Sequence, residues 1–221
     1  MKEKKQWSEA ELFDFTKRWH AITIPVNIQI ENTQMALDLH RTNQIITKAE
    51  KIALGDCICR TTLQNCNFPR KTCIFLNNRA ETFVKNERAK YITKKQAKLI
   101  VSETHKQGLV HLAMYQSSIS NQFPSEICSC CPCCCQALQG LQRLNMKGLV
   151  EPSEYVSTFD SETCIQCGIC IERCHFGARM LDAHNEIIYK QDLCFGCGLC
   201  VSTCPESAIK LIPRDNWRKT P

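Results

Sequence analysis

The first part of the chain carries a helix-start signal followed by a strand pattern. Ser8 and Glu11 have the spacing of a capping box, in which each side chain satisfies a backbone N–H group at the start of a helix. The pattern predicts a helix over about residues 9–20. Apolar residues then alternate with less apolar ones over residues 22–30, which is typical of a half-buried strand, and Pro25 would confine that strand to a sheet edge.

Two further helices are predicted before the middle of the chain. Apolar residues recur at roughly helical spacing over residues 32–54, and a glycine follows that can end the helix. Thr93 and Gln96 form a second capping-box pair, which predicts a helix to about Gln107, followed by Gly108 and the strand-like run LVHLAMY. A helix, a glycine and a strand in this order also suit a winged-helix unit, so DNA binding enters as one alternative function.

Cysteine is the unusual component of the 221-residue chain, which contains 18 of them. Residues 1–15 carry charges where a signal peptide has an apolar run, and no window approaches 18 uncharged apolar residues. We therefore expect a cytoplasmic protein without a membrane span. In a reducing compartment, cysteines spaced by two or three residues are more often metal ligands than disulfides.

The most specific signal is a duplicated motif near the C-terminus. The segments CIQCGICIERCHFGA and CFGCGLCVSTCPESA begin 30 residues apart, at Cys164 and Cys194, and both read CxxCxxCxxxC. A CxxCxxC run can turn three sulfurs toward one cubane, and Gly168 and Gly198 permit a close backbone approach. Two-cluster ferredoxins have this spacing, and in them the fourth cysteine of each motif serves the other cluster.

The spacing assigns three ligands from one motif and one from the other motif to each [4Fe–4S] cluster. The first cluster would be bound by Cys164, Cys167, Cys170 and Cys204. The second cluster would be bound by Cys194, Cys197, Cys200 and Cys174. Zinc and disulfides are the alternatives, but structural zinc favours separated CxxC pairs over three ligands in one loop.

Residues 158–214 resemble the bacterial-type dicluster ferredoxin family on these eight cysteines. The resemblance implies a short duplicated α+β fold that binds two [4Fe–4S] clusters and carries single electrons. His175 departs from the family pattern, which has proline after the fourth cysteine, as Pro205 stands in the second copy. A tolerated substitution and a proton-coupled redox role are both open for His175.

Ten more cysteines lie upstream in two blocks, four over 17 residues and six in the segment CSCCPCCC. They are Cys57, Cys59, Cys66 and Cys73, then Cys128, Cys130, Cys131, Cys133, Cys134 and Cys135. Adjacent cysteines point in different directions, so six sulfurs of the second block cannot all reach one cubane. We expect a third Fe–S centre built from one block or both, with structural zinc and unligated redox-active thiols as alternatives. His105 and His111 could supply a nitrogen ligand.

The net charge must be corrected for the predicted clusters. Residues 1–120 contain 19 Lys and Arg against 11 Asp and Glu, net +8, and residues 121–221 contain 9 against 11, net −2. The total of +6 counts every thiol as neutral. An oxidised cubane with four thiolates carries about −2, so two clusters would bring the total to about +2. We therefore expect a redox partner protein rather than a nucleic acid.

The whole pattern predicts an α+β chain with three parts. Residues 1–155 would form a cysteine-rich region, mainly helical with a few strands, residues 156–214 a dicluster ferredoxin domain, and residues 215–221 a tail. Residues 45–214 together resemble proteins of anaerobes that join a cysteine-rich region to a dicluster ferredoxin unit. That resemblance implies no known reaction for the N-terminal part.

Electron transfer is the preferred function: two clusters would accept electrons singly and pass them to a partner or to an N-terminal centre. One alternative is an oxidoreductase whose active site is the CSCCPCCC region, because that region has more thiols than one cubane can use. The other is a redox-responsive DNA-binding protein, which rests on the basic N-terminal region. The catalytic residues of an enzyme are not identified by the sequence.

Overall fold

Helices and strands alternate along the chain in the computed structural model, which describes residues 4–26, 41–117, 123–146 and 148–214. The helices are α1 (Glu9–Arg18), α2 (Arg41–Lys48), α3 (Ile58–Leu63), α4 (Asn77–Lys85), α5 (Lys94–Lys106), α6 (Gln136–Leu144) and α7 (Ile169–Arg173). The strands are β1 (Trp19–Thr23), β2 (Ile52–Asp56), β3 (Lys71–Leu76), β4 (Ala89–Tyr91), β5 (Val110–Gln116), β6 (Glu126–Cys130), β7 (Val150–Glu151), β8 (Tyr155–Ser157), β9 (Arg179–Leu181), β10 (Ile187–Tyr189) and β11 (Leu211–Pro213). Among these residues, no helix is long and apolar enough to cross a membrane.

A mixed sheet is the framework of the N-terminal region. Its seven described strands run in the order β4-β2-β3-β6-β5-β1-β7, and all neighbours are antiparallel except β1 and β7. The mixture of helices and strands agrees with the predicted α+β class. The prediction of only a few strands in this region understates them, because seven described strands form one sheet.

The predicted first helix is confirmed, and the strand after it is displaced. Ser8 and Glu11 make both hydrogen bonds of the capping box, and α1 ends at Arg18 rather than near residue 20. The strand predicted over residues 22–30 is β1, which begins at Trp19 and ends before Pro25; residues 27–40 lie outside the described part. The edge position is also wrong, because β1 lies between β5 and β7 and Pro25 follows its end.

The helix predicted over residues 32–54 is wrong at its C-terminal end. Helix α2 occupies Arg41–Lys48, but residues 52–54 belong to β2, which pairs with β3 on one side and β4 on the other. A short apolar run suits a buried strand as well as a buried helix, and periodicity alone cannot distinguish them. Here the pairing on both sides decides the structure.

The second capping box is confirmed, whereas the winged-helix interpretation is wrong. Thr93 and Gln96 make both capping hydrogen bonds of α5, and β5 follows Gly108 as predicted. However, β5 lies inside the large sheet between β6 and β1, and it does not form the small wing of a DNA-binding unit.

The two faces of the sheet have different chemistry because side chains alternate along each strand. One face is aliphatic and packs against α2 and α5 through residues such as Ile74 and Ile127. The opposite face contains Cys73, Cys128 and Cys130 among apolar residues. The register that pairs Ile74 with Ile127 also brings Cys73 next to Cys128. The sheet therefore gathers cysteines from both blocks on one face.

The C-terminal residues form a smaller unit of two strand pairs that packs against the sheet. Strand β8 pairs with β11 and β9 pairs with β10, both antiparallel, and the two cysteine motifs form the loops between them. The unit contacts the loop after α5: Arg173 Nη2 donates to the Lys106 carbonyl at 2.7 Å, and His175 Nε2 lies 2.8 Å from the Gly108 carbonyl.

Candidate metal and iron-sulfur centres

The first of two small cavities in the C-terminal unit collects cysteines from both motifs. Its lining includes Cys164, Cys167 and Cys170 of the first motif and Cys204 of the second. Most of the remaining wall is apolar, and Cys167 is exposed. Four thiols against an apolar wall fit the ligand set of one [4Fe–4S] cluster.

The second cavity has the complementary set of cysteines. Its four sulfur-bearing residues are Cys194, Cys197, Cys200 and Cys174. The stacked rings of Phe176 and Phe195, with centroids 4.2 Å apart, form part of its wall. The structure therefore brings together the two sets of four cysteines that the spacing predicts.

Backbone geometry repeats between the two motif loops. Gln166 N donates to Cys164 Sγ at 3.4 Å, and Gly196 N donates to Cys194 Sγ at the same distance. Gln166 and Gly196, which are 30 residues apart, both have positive φ, 55° and 64°. An N–H group directed at a ligand sulfur stabilises the negative charge of a thiolate-bound cluster. This observation also fits cluster binding.

Arg179 lines the second cavity, and no pattern in the sequence indicates its role. It is only 2% exposed, its guanidinium lies 4.3 Å from the Tyr189 ring centroid, and Nη2 donates to the Ser157 hydroxyl at 3.0 Å. Its charge acts on a thiol of each set, and it opposes the burial that raises the pKa of Cys170 and the pKa of Cys200, the latter to about 11. Arg179 Nε has no acceptor among the described residues. A buried cation suits a site that becomes negative when two clusters bind.

Four upstream cysteines form a compact group that we call the four-thiol group. Its members are Cys66, Cys131, Cys133 and Cys134. All four sulfurs lie within 4.8 Å of one another, and three pairs are separated by 3.7, 3.8 and 3.9 Å. Four thiolates around one ion, with metal–sulfur bonds of about 2.3 Å, stand about 3.8 Å apart. The group therefore has the dimensions of a single tetrahedral metal site.

The four-thiol group is held by the turn between β6 and α6 and by side chains from distant segments. Trp7 Nε1 donates to the Cys134 carbonyl at 2.8 Å, and Asn65 Nδ2 donates to the Cys133 carbonyl at 2.7 Å. Trp7 is buried against Leu63 and Leu109 in the same cluster. These contacts fix the backbone of the turn that carries three of the four sulfurs.

The other six upstream cysteines form a closed ring of contacts that we call the six-thiol ring. In order around the ring, its members are Cys57, Cys59, Cys135, Cys130, Cys128 and Cys73, with the last contacting the first. The sulfurs of Cys135 and Cys130 are 3.2 Å apart. Among the described residues, only the four-thiol group has three or more candidate ligand atoms mutually within 4.8 Å, so the ring is open at its centre.

The structure thus regroups the two sequence blocks. The first block does not form a site by itself, because Cys66 joins the four-thiol group while its three companions enter the ring. The second block is divided into three cysteines for each group. His105 and His111 are buried near one another, with ring centroids 5.9 Å apart, and neither belongs to the four-thiol group.

Arg60 lies between the two upstream groups. It is 2% exposed, and Nη1 donates to the Ser129 carbonyl at 2.8 Å and to Cys131 Sγ at 3.7 Å. Burial lowers its pKa, but negative charge at Cys57 and Cys131 raises it by more, so Arg60 stays protonated. The sequence does not indicate this role of Arg60, because its burial depends on the fold.

The thiols differ strongly in acidity. Hydrogen bonds from the Cys59 and Cys73 thiols, assisted by Arg60, lower the pKa of Cys57 to about 2. A hydrogen bond from Cys133, together with Arg60, lowers the pKa of Cys131 to about 6. Each upstream group therefore contains a thiolate at neutral pH, and thiolates are the form that binds metal.

A cavity of about 740 Å³ adjoins the N-terminal cysteines. All six ring members and two members of the four-thiol group line it, together with aromatic residues that include Trp7 and Trp19. Arg79 and Glu126 face each other across 3.8 Å in its wall, and burial raises the pKa of Glu126 to about 7, against the effect of Arg79. The cavity is large enough for a cofactor or a small substrate.

Comparison with known proteins identifies the C-terminal unit. Residues 157–211 match the family model of the 4Fe–4S dicluster domain. The match covers 55 of the 221 residues and includes all eight cysteines of the duplicated motif. No curated protein matches the chain. The chain therefore carries a ferredoxin-type dicluster domain, and its many cysteines support an iron-sulfur electron-transfer role.

Proposed function

We propose that this chain is an electron-transfer protein that carries two [4Fe–4S] clusters and a further metal centre in its N-terminal region. The observation that supports it most directly is the pair of cavities, each with three cysteines from one motif and one from the other. The bound clusters would supply one-electron redox chemistry. The chain positions the ligands, excludes water and balances charge with Arg179.

The two clusters would have different roles because their surroundings differ. The first set of cysteines lies near the surface, beside exposed Ile165 (59%) and Ile169 (39%), which suits contact with a redox partner. The second set faces the N-terminal region, because Cys197, Phe195 and Leu199 pack in one apolar cluster with ring cysteines. Electrons would enter at the first cluster and move inward through the second.

The domain boundaries follow the same division. We propose that residues 1–155 form the cysteine-rich unit and residues 156–214 form the ferredoxin unit, with residues 215–221 as a tail outside the described part. The strand β8 begins at the proposed boundary and pairs with β11 at the opposite end of the ferredoxin unit. In the N-terminal unit, the four-thiol group would bind one tetrahedral ion, zinc or iron.

Single-cluster variants test the order of transfer. Oxidised anaerobic protein is mixed with a reduced soluble one-electron donor, and its reduction is followed by stopped-flow absorbance. We expect Cys167→Ser to slow electron uptake by at least about tenfold, since it disturbs the surface cluster, and Cys197→Ser to leave the initial phase fast. If the intact protein takes up no electrons reversibly, the carrier function is wrong.

An oxidoreductase is the second candidate, and the 740 Å³ cavity beside the cysteines is the observation that favours it. A substrate in this cavity would lie next to both N-terminal groups and would receive electrons from the ferredoxin unit. Anaerobic turnover of a small disulfide by the reduced chain tests this candidate. Loss of turnover in Cys134→Ser, with normal C-terminal cluster spectra, would support it, and absence of turnover by the intact chain would oppose it.

A further inference from the structure

We propose that the six-thiol ring binds a polynuclear iron–sulfur cluster, a centre separate from the four-thiol group and from the two ferredoxin clusters. The ring is a cyclic arrangement of six contacting thiols that comes from four separate segments: the residues before and within α3, strand β3, strand β6 and the start of α6. Six thiols of distant origin brought to one place require more than the packing of small apolar side chains.

Spacing distinguishes the ring from a single-ion site. Every ring thiol makes a hydrogen bond with two neighbours. However, no three ring sulfurs lie mutually within 4.8 Å, whereas all four members of the four-thiol group do. Likewise, no three of the eight ferredoxin cysteines lie mutually within 4.8 Å. A polynuclear core occupies the space between its ligands, so open spacing suits a cluster and compact spacing suits one ion.

The surroundings supply room and charge for such a core. All six ring members line the 740 Å³ cavity, which allows neighbouring sulfurs to separate when iron atoms lie between them. Arg60 and Arg79 line the same cavity, and Arg60 Nε has no acceptor among the described residues. Cluster insertion is a ligand exchange without electron transfer: each ring sulfur that binds iron displaces a ligand that held the preformed cluster on its donor, and a ring thiol that is still protonated releases its proton to solvent.

The position of the ring also connects it with the ferredoxin unit. Cys128, Cys130 and Cys135 belong to the apolar cluster that contains Cys197 and Leu199 beside the second ferredoxin cavity. A cluster in the ring would therefore be the next acceptor of electrons from the second ferredoxin cluster. Its side toward the cavity would remain accessible to a small molecule.

The test is the iron and acid-labile sulfide content of the full chain, purified anaerobically, together with Mössbauer spectra. We expect more than about eight irons per chain, the number that two cubanes require, with sulfide in similar excess. The double variant Cys57→Ser/Cys130→Ser should return both counts to about eight. The matched control Cys66→Ser should keep the excess sulfide, because it removes a ligand of the four-thiol group only.

Several results would overturn this assignment while leaving the ferredoxin clusters intact. These are a count of about eight irons in the intact chain, zinc in place of the excess iron, or loss of the excess sulfide in Cys66→Ser but not in the ring variant. If the double variant fails to fold, Cys66→Ser alone decides the matter, because its excess sulfide persists only when the extra cluster is bound outside the four-thiol group. Failure of the proposed carrier function would be seen separately, as the absence of the two C-terminal [4Fe–4S] signals.

Discussion

At the scale of single residues, buried cations mark the places where negative charge must be accommodated. Arg60 adjoins the upstream thiols, and Arg179 lines the second ferredoxin cavity and acts electrostatically on one thiol of each set. Each is 2% exposed, and an unpaired buried cation is costly unless an anionic partner compensates it. Neither role could be predicted from the sequence, because no local sequence pattern indicates that an arginine will be buried beside cysteine loops.

Replacement of Arg179 by glutamine should lower the reduction potentials of both ferredoxin clusters. The reduced cluster is more negative than the oxidised one, so removal of a buried cation takes more electrostatic stabilisation from the reduced state. We expect a decrease on the order of 50 mV, since 59 mV corresponds to about 1.4 kcal/mol for a one-electron couple. A redox titration followed by EPR measures the decrease.

Lys190→Gln is the control for the Arg179 experiment. It removes one positive charge from an exposed position of the same unit, where solvent screens the charge. We expect its potentials to stay close to those of the original chain. Equal decreases in the two variants would show that Arg179 has no special position between the clusters.

His175 is explained by its contact with the N-terminal region. Its Nε2 lies 2.8 Å from the Gly108 carbonyl, and its own carbonyl accepts a hydrogen bond from Gln142 Nε2 at 2.6 Å. Proline at this position has no side-chain donor for Gly108. The departure from the ferredoxin pattern therefore coincides with a contact between the two units.

His175→Pro should weaken the docking of the ferredoxin unit without removing its clusters. Loss of the hydrogen bond to Gly108 should cost about 1 kcal/mol and speed amide exchange around Gly108 by about fivefold. Hydrogen exchange with mass spectrometry measures this change. His184→Ala alters an exposed histidine in the same unit and should leave the exchange unchanged; unchanged exchange in His175→Pro would contradict the docking role.

At the scale of elements, the motif loops depend on backbone conformations that few residues tolerate. Gly196 has φ 64°, and a Cβ there would collide with the Tyr155 carbonyl and the Ser153 hydroxyl. Gly177 in the same unit also has positive φ, 69°, but a Cβ there would have no neighbour within 4 Å. Substitution of the two glycines by alanine therefore separates the free-energy cost of a positive φ from the cost of a steric collision.

Gly196→Ala should reduce the occupancy of the second cluster, because the loop must move away from β8 to accept the methyl group. We expect Gly196→Ala to lose at least about half of the second-cluster EPR signal, whereas Gly177→Ala pays only the conformational cost of about 1 kcal/mol and keeps both signals. Similar losses in the two variants would mean that the contact with Tyr155 does not matter.

Elements that are determined by residues close in sequence could be predicted, whereas elements that depend on pairing with distant segments could not. Both capping boxes and the two cysteine motifs act within a few residues, and the helices and loops they predict are present. In contrast, the local pattern predicts a helix where β2 lies, because the strand character of β2 depends on pairing with β3 and β4. The division of the upstream cysteines likewise depends on the register between β3 and β6, which no local spacing specifies.

At the scale of the whole molecule, the two units carry net charges of opposite sign. Residues 1–155 contain 21 Lys and Arg against 14 Asp and Glu, net +7, whereas residues 156–214 contain 5 against 7, net −2, to which the two proposed clusters would add about −4. With its clusters bound, the ferredoxin unit would therefore be acidic, and it packs against a basic unit. A basic redox partner would be attracted to the exposed first cluster, and added salt should weaken that encounter.

Binding of two [4Fe–4S] clusters by the eight C-terminal cysteines is tested by iron, sulfide and zinc analysis of the anaerobically purified chain, together with EPR of the reduced protein. We predict at least about eight irons and eight sulfides per chain, and an EPR spectrum of two reduced clusters that interact magnetically. Fewer than about four irons, or zinc in place of iron, would contradict the binding of two clusters.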